Sequence, residues 1–304
     1  MPDTSHRAPC EICGAAGWVP VYKGPVRDGG FGRLTACECT VLGCPQCGAH
    51  RLEEAACKDD SFYEGTLYRE LLGEASDAEG FWAAHDVLQI RHLNVLWPHS
   101  VRNRVVADVG GAAGSFLDHI SGLAAECLAI EPCREYHPSL SDRGYRVFDT
   151  LQDAAAAYAG RVDVVFSFST IEHVLNPLEF FRGARDLLAP NGVFLVSTPN
   201  RADVLMDLLG DEYRRFFYRT VHRWYFDMHA LAELAAHSGL SVLKQRFQQR
   251  FGISNALHWL RDRRPKGETP LPHFEDALIN ETWKAHLEAK GVGDYLYMLM
   301  GRNK

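Results

Sequence analysis

The stretch Arg104-Val105-Val106-Ala107-Asp108-Val109-Gly110-Gly111-Ala112-Ala113-Gly114-Ser115-Phe116-Leu117 decides how the rest of the chain is read. An apolar, β-branched run ends in an aspartate. Three glycines follow within five residues, and a serine then opens a helix-like stretch (115–125). This is a strand, a tight turn and a helix. Its glycines let the backbone bend sharply and pass close to a ligand.

Outward from this turn the pattern repeats. Short runs rich in Val, Ile and Phe lie at 127–130, 146–148, 162–168 and 193–197, and helix-like stretches lie at 152–159 and 177–188. Strands alternating with helices predict a parallel sheet covered on both faces. Each strand ends in polar residues. Glu131 closes Cys127-Leu128-Ala129-Ile130-Glu131, twenty residues past Gly111, where a carboxylate can accept from both ribose hydroxyls. Asp149-Thr150 closes the third strand, and Asp149 can accept from an adenine amino group. The fourth runs Val164-Val165-Phe166-Ser167-Phe168-Ser169-Thr170-Ile171-Glu172-His173-Val174, and Leu188-Ala189-Pro190-Asn191-Gly192 precedes the fifth. A nicotinamide-binding sheet would instead carry the GxGxxG spacing and a second mononucleotide half.

In this order the segments resemble the class I S-adenosylmethionine-dependent methyltransferases: motif I, the ribose-binding acid, the adenine-side aspartate, the I-E-H-V segment and the L-x-P-x-G turn. The resemblance implies a doubly wound, Rossmann-like α/β fold with seven strands, the last one reversed. It assigns S-adenosylmethionine to Asp108, Gly110, Gly111, Gly114, Glu131, Asp149, Thr150, Ser167 and Ser169. It also makes the chain an enzyme that passes a methyl group to oxygen, carbon or nitrogen.

The other dense feature is cysteine. Seven of the nine lie in the first 57 residues, among them Cys10-Glu11-Ile12-Cys13-Gly14 and Cys44-Pro45-Gln46-Cys47-Gly48. Two CxxCG turns supply four thiolates, and Cys10, Cys13, Cys44 and Cys47 are expected to close a structural Zn²⁺ site with no open position. Cys37 and Cys39 offer an alternative partner to the second pair. Followed by Asp60-Ser61-Phe62-Tyr63 and Tyr68-Arg69, the module resembles that of zinc-containing small-molecule and sugar methyltransferases of bacterial biosynthetic clusters, including sugar C-methyltransferases. A similar layout occurs in some ribosomal-RNA guanine methyltransferases.

The expected organisation is a zinc-binding module (1–58), a helical connector over the active site (59–100) and a methyltransferase domain (101–304). Acceptor-side insertions are placed at 200–226 and 252–290. His173, at the carboxyl edge of strand four, is the first candidate base, with Glu172 beside it to orient it or to act itself. The resembling sugar enzymes associate this Glu-His pair with base catalysis. His222 is a second candidate base, and Tyr225 can bond an acceptor hydroxyl. Arg214, Arg215, Arg219 and Arg223 can grip a phosphate or carboxylate, or simply lie solvated on a lid helix.

With 304 residues, 46% hydrophobic and 23% charged, the chain suits one or two globular domains. No apolar run has the length of a membrane span, the first ten residues hold no apolar signal core, and a cytoplasmic location follows as the expectation. The net charge of −7 favours a small polar acceptor, a sugar or nucleotide-linked sugar first, over nucleic acid. An RNA base methyltransferase and a non-catalytic cofactor-binding scaffold are the alternatives. Oligomeric state is not legible.

Overall fold

The computed structural model describes residues 8–265 and 271–303; the first seven residues of the cysteine module and 266–270 of the second insertion lie outside them. In chain order there are three short strands, β1 (Val19–Gly24), β2 (Cys39–Gly43) and β3 (His50–Leu52), then helices α1 (Leu67–Leu72) and α2 (Ala78–Leu96). The alternation follows as β4 (Val105–Val109), α3 (Ser115–Ile120), β5 (Glu126–Ile130), α4 (His137–Asp142), β6 (Arg146–Phe148), α5 (Leu151–Tyr158), β7 (Val162–Phe168), α6 (Pro177–Leu187) and β8 (Leu188–Pro199). Beyond it lie α7 (Val204–Leu209), α8 (Asp211–Phe217), β9 (Trp224–Tyr225) and α9 (Met228–His237). The last elements are β10 (Leu240–Gln248), α10 (Ile253–Asp262), α11 (Ala277–Lys290) and β11 (Tyr295–Arg302).

Seven strands form the main sheet in the order β10-β11-β8-β7-β4-β5-β6. β4 to β8 run parallel, and β11 is inserted antiparallel between β8 and β10. This is the doubly wound sheet with a reversed final strand. Val106, Ala107, Leu128, Val165, Phe194 and Leu195 are fully buried, as central strands covered by helices on both faces require. The covering helices begin where side chains satisfy their first N–H groups. Thr150 accepts from Asp153 N, Asn176 from Leu178 N and Glu179 N, and Asp227 from Ala230 N. Chain order reverses at β4, which lies between β5 and β7, and a crevice opens there at the carboxyl ends of the strands.

Several elements differ from the sequence expectation. α3 stops at Ile120 rather than near residue 125. The turn expected at 188–192 lies inside β8 as a break in register, with Leu188 opposite Val162 and Val193 opposite Val164. Helices α4, α7 and α10 have no counterpart in the sequence pattern, being short or carrying aromatic and polar residues without a clean apolar stripe, while α8 takes up the first part of the arginine segment for which a lid helix is one reading. No helix among the described residues is long and apolar enough to cross a membrane.

The second sheet, β1-β2-β3-β9, is antiparallel, and its fourth strand comes from far along the chain. His50 pairs with Tyr225 and Arg51 with Trp224, and Leu52 N donates to Arg223 O at 2.9 Å. Arg51 pairs with Glu11 and places its guanidinium over the Trp18 and Trp224 rings, 5.3 and 6.0 Å from their centroids. Trp224 is fully buried, and its indole N–H donates to Val174 O at 3.0 Å. The cysteine segment is thus packed into the same apolar core as β7 and β8.

Trp224→Ala removes the largest side chain of this junction and leaves the Val174 carbonyl without its donor. Equilibrium denaturation should show a loss of about 3–5 kcal/mol. A loss below about 1 kcal/mol, within the range of ordinary surface substitutions, would show that the junction does not hold the two sheets together.

Candidate active site

At the switch point the loop 110–114 turns beneath α2. Gly110 has φ +77°, and a Cβ there would lie 2.5 Å from Thr170 Oγ1. A Cβ on Gly111 would lie 2.3 Å from Asp108 Oδ2, so glycine is the residue that fits over the aspartate. α2 is fixed over this loop by the Trp82 indole N–H donating to Ala113 O at 3.0 Å. Between them lies a cavity of about 670 Å³, a size that suits a nucleoside-sized ligand with a small second molecule.

One end of the cavity is acidic. Asp108 is buried with Oδ2 unpartnered, and desolvation, followed by the Glu131 charge, raises its carboxyl to about 7. Glu131 is buried too. It accepts from Ala112 N at 2.8 Å and Cys133 N at 2.9 Å, and burial pushes its carboxyl upward. Two buried carboxylates without a neutralising cation of their own make a site for a cationic ligand.

Glu172, His173 and His222 line the same cavity, brought together although His222 lies 49 residues beyond His173 in sequence. One donor atom from each lies within 4.8 Å of the others, close enough to share one cation or a bridging water. His173 Nδ1 is 2.6 Å from Val221 O. A carbonyl only accepts, so Nδ1 carries the proton and Nε2 is left as an acceptor. Burial holds its pKa down at about 3, and the ring stays neutral. His222 is pushed down by burial and then by the Arg219 charge, and its ring stands edge-on to His173 at 4.7 Å. Glu172 is raised to about 7 by burial, while Thr198 Oγ1 donates to its Oε2 at 2.8 Å. Arg223 N and Trp224 N both donate to the Glu172 carbonyl, at 2.8 and 3.0 Å.

The remaining expected residues are placed differently. Ser169 lines the cavity at φ +54°, its hydroxyl bonded to Tyr295 OH. Ser167 is buried inside the sheet, donating to Val109 O at 3.1 Å. Gly114 caps α3, and Thr150 caps α5; neither lines the cavity. Asp149 lies outside the lining, where Arg134 Nε bonds it at 2.9 Å. Tyr225 is buried and spent on one peptide: its OH accepts from Arg219 N at 2.8 Å and donates to Arg219 O at 3.0 Å.

Other lining residues escaped the sequence reading. Tyr63 and Tyr68 stand edge-on to the His173 ring at 5.3 Å each, and Arg250 and Tyr295 arrive from the C-terminal strands. The Asp-Ser-Phe-Tyr/Tyr-Arg segment was the one available signal for the first pair.

The cysteine turns form a second site. Cys10 and Cys47 Sγ are 3.7 Å apart, Cys13 and Cys44 Sγ 3.6 Å, and all four lie within 4.8 Å of one another. A tetrahedral Zn²⁺ with four thiolates has sulfurs about 3.8 Å apart. The two turns are alike: Gly14 N donates to Cys10 O at 2.8 Å and Gly48 N to Cys44 O at 3.0 Å. Cys37 is exposed and Cys39 bonds Thr35 Oγ1 at 3.6 Å; neither joins the group.

Residues 81–245 match the methyltransferase-domain family. The chain belongs to this family. The matched span runs from α2 to β10 and contains the glycine loop, Asp108, Glu131 and the Glu172-His173-His222 cluster, while the cysteine module precedes it. A ubiquinone biosynthesis O-methyltransferase of Cereibacter sphaeroides is 27% identical over 163 residues, 50% of this chain and 64% of its own. That of Azorhizobium caulinodans is 30% identical over 152 residues, 46% and 56% respectively. The match thus spans less than two thirds of these curated relatives. Among solved structures, a SAM-dependent methyltransferase from Archaeoglobus fulgidus is 12% identical with a TM-score of 0.49, covering 80% of this chain and 99% of its own. The cofactor of this methyltransferase fold is S-adenosylmethionine, and the acidic end fits its sulfonium and ammonium charges.

Glu131→Ala should lower S-adenosylmethionine affinity at least about a hundredfold by calorimetry, since two or more charge-assisted hydrogen bonds are lost. Unchanged affinity would remove the cofactor from this end. Affinity for the cation should also fall with acidity. Asp108 holds a proton below about pH 7, and binding must expel it. The loss should reach about tenfold per pH unit below that point and level off above it. S-adenosylhomocysteine, with its uncharged sulfur, should show a shallower slope. Equal slopes would contradict an electrostatic pull of Asp108 on the sulfonium charge.

Proposed function

We propose that this chain methylates a hydroxyl of a small polar acceptor, with S-adenosylmethionine as donor. The observation that carries this is one cavity that holds both a buried carboxylate pair beside the glycine loop, suited to the donor, and a neutral histidine with a bare acceptor nitrogen. Bound against Asp108 and Glu131, the cofactor supplies an electrophilic methyl on sulfur, open to in-line displacement. The protein holds the acceptor in that line and takes its proton. His173 Nε2 accepts the hydroxyl proton as the acceptor oxygen attacks and the methyl–sulfur bond breaks, Val221 O holds the opposite N–H, and the proton then passes to the Glu172 carboxylate or to solvent. An oxygen acceptor is favoured over an amine because its proton must leave as it attacks, and over carbon because the relatives described above are named O-methyltransferases. A sugar or other hydroxylated biosynthetic intermediate suits the mixed aromatic and polar wall. An RNA acceptor loses its support, since Arg214 pairs with Asp211, Arg215 with Glu212 and Arg223 with Glu54.

The four cysteines are assigned one structural Zn²⁺, to be held by Cys10, Cys13, Cys44 and Cys47 with no position left for substrate.

Transfer of label from methyl-labelled S-adenosylmethionine should be found across a panel of small hydroxylated acceptors. His173→Ala should cut turnover about 10²–10⁴-fold while cofactor affinity stays within about threefold, well under 1 kcal/mol. Wild-type turnover in that variant would make the histidine a packing residue. At saturating S-adenosylmethionine, and in Glu172→Gln, which removes the carboxyl raised to about 7, the rate should lack a break near the ordinary histidine pKa of about 6.5, because the ring is already neutral there.

Elemental analysis should find about one zinc per chain, and Cys44→Ser should remove it and lower the melting temperature. A metal-free chain with an unchanged melting temperature would refute the zinc assignment.

A further inference from the structure

Four arginines line the cavity, and two of them are already engaged. Arg69 pairs with Glu74 at 2.6 Å, and Arg250 pairs with Asp294 at 2.6 Å. Arg91, on α2, leaves a buried Nε without a partner. Arg219 does the same, but beside the proposed base. Its charge acts on Glu172, His173 and His222 together.

Arg219 is also held in place. Tyr225 OH bonds both the N–H and the carbonyl of its peptide, and His222 N donates to the same carbonyl at 3.0 Å. A second arginine stands behind it: Arg27 N donates to Tyr218 O and Thr220 N donates to Arg27 O, each at 3.0 Å. The Arg27 guanidinium lies on the Phe216 ring, 4.4 Å from its centroid, and its buried Nε makes no hydrogen bond. The nearby carboxylate of Asp28 is taken by Lys58 at 3.3 Å and Thr220 Oγ1 at 2.7 Å. Among the described residues no carboxylate pairs with Arg27 or Arg219. Two adjacent, partly buried guanidiniums repel each other unless an anion joins them.

We propose that Arg219, backed by Arg27, forms an oxyanion subsite that selects acceptors bearing a carboxylate or phosphate close to the hydroxyl to be methylated. This rests on the functional assignment above and narrows its substrate class. The planar fork of Arg219 takes two oxygens of the anion, and Arg27 supplies charge from behind. Seating that anion sets the neighbouring hydroxyl against His173.

The test follows the arginine Nε–H resonances by nitrogen-15 NMR, in protein loaded with S-adenosylhomocysteine. Inorganic phosphate and benzoate are titrated separately at constant ionic strength. A saturable movement of the Arg219 and Arg27 signals with either probe is expected. Arg219→Gln should weaken that binding about tenfold or more, and Arg219→Lys by less, since charge is kept and the fork lost. A response to phosphate alone marks phosphorylated acceptors, and one to benzoate alone marks carboxylates. The proposal is overturned if neither probe saturates, or if the response survives in Arg219→Gln. It is also overturned if S-adenosylhomocysteine by itself shifts Arg219 and blocks both probes, because the anion would then be the cofactor's own carboxylate. Failure of S-adenosylhomocysteine to bind would sink the functional assignment alone, and titration of the unloaded chain would then decide the subsite. Melting curves confirm that each variant is folded.

Discussion

Residues 221–225 are hydrogen-bonded on both sides, and the candidate site depends on that. On one side Val221 O fixes the His173 tautomer, while Arg223 N and Trp224 N share the Glu172 carbonyl. On the other, Trp224 and Tyr225 complete the sheet of the cysteine module through β3. A two-residue strand has too few hydrogen bonds to persist alone. Burial of Trp224, the Arg51 stack and the closed cysteine turns supply what the pairing lacks. The module therefore acts at a distance from any chemistry: it stiffens the segment that sets which nitrogen of His173 is bare.

Electrostatics divide the cavity. Beside the glycine loop two carboxylates are buried together without a cation, while Arg219 lines the same cavity with Arg27 bridged to its backbone from behind, and neither arginine has a carboxylate partner among the described residues. Each arrangement is costly in the unliganded chain, and each is relieved by a ligand of opposite sign. A cationic donor and an anionic acceptor would offset the two, and the neutral imidazole in the same cavity needs no charge of its own to accept a proton. In the proposed role His173 starts from the neutral form that burial favours, and the same burial makes the imidazolium it forms a short-lived one.

Much of the fold was legible because its signals are local. The strand, glycine turn and helix at 104–117 carry their own periodicity and turn chemistry, and the four-cysteine grouping follows from spacing alone. Glu172, His173 and His222 were recognised individually, yet their approach to within 4.8 Å needed the tertiary fold. Elsewhere the structure shows a role within the fold for residues expected at the site. Thr150 and Gly114 are ordinary helix caps, Ser167 serves the sheet, and Tyr225 serves the peptide of Arg219; each role uses the same polar atoms that a ligand would. The arginine run 214–223 showed the limit most clearly. Arg214 and Arg215 pair with acids one turn away on α8, Arg223 finds Glu54 far off in sequence, and Arg219 keeps a buried Nε without a partner.

A crystal structure of the chain with S-adenosylhomocysteine tests the central claim most directly. The account predicts ribose hydroxyls within hydrogen-bond distance of Glu131, the backbone of 110–112 against the ligand, and the sulfur facing the His173 side of the cavity. A nucleoside seated away from Glu131, or a sulfur turned away from the Glu172-His173-His222 cluster, would contradict it.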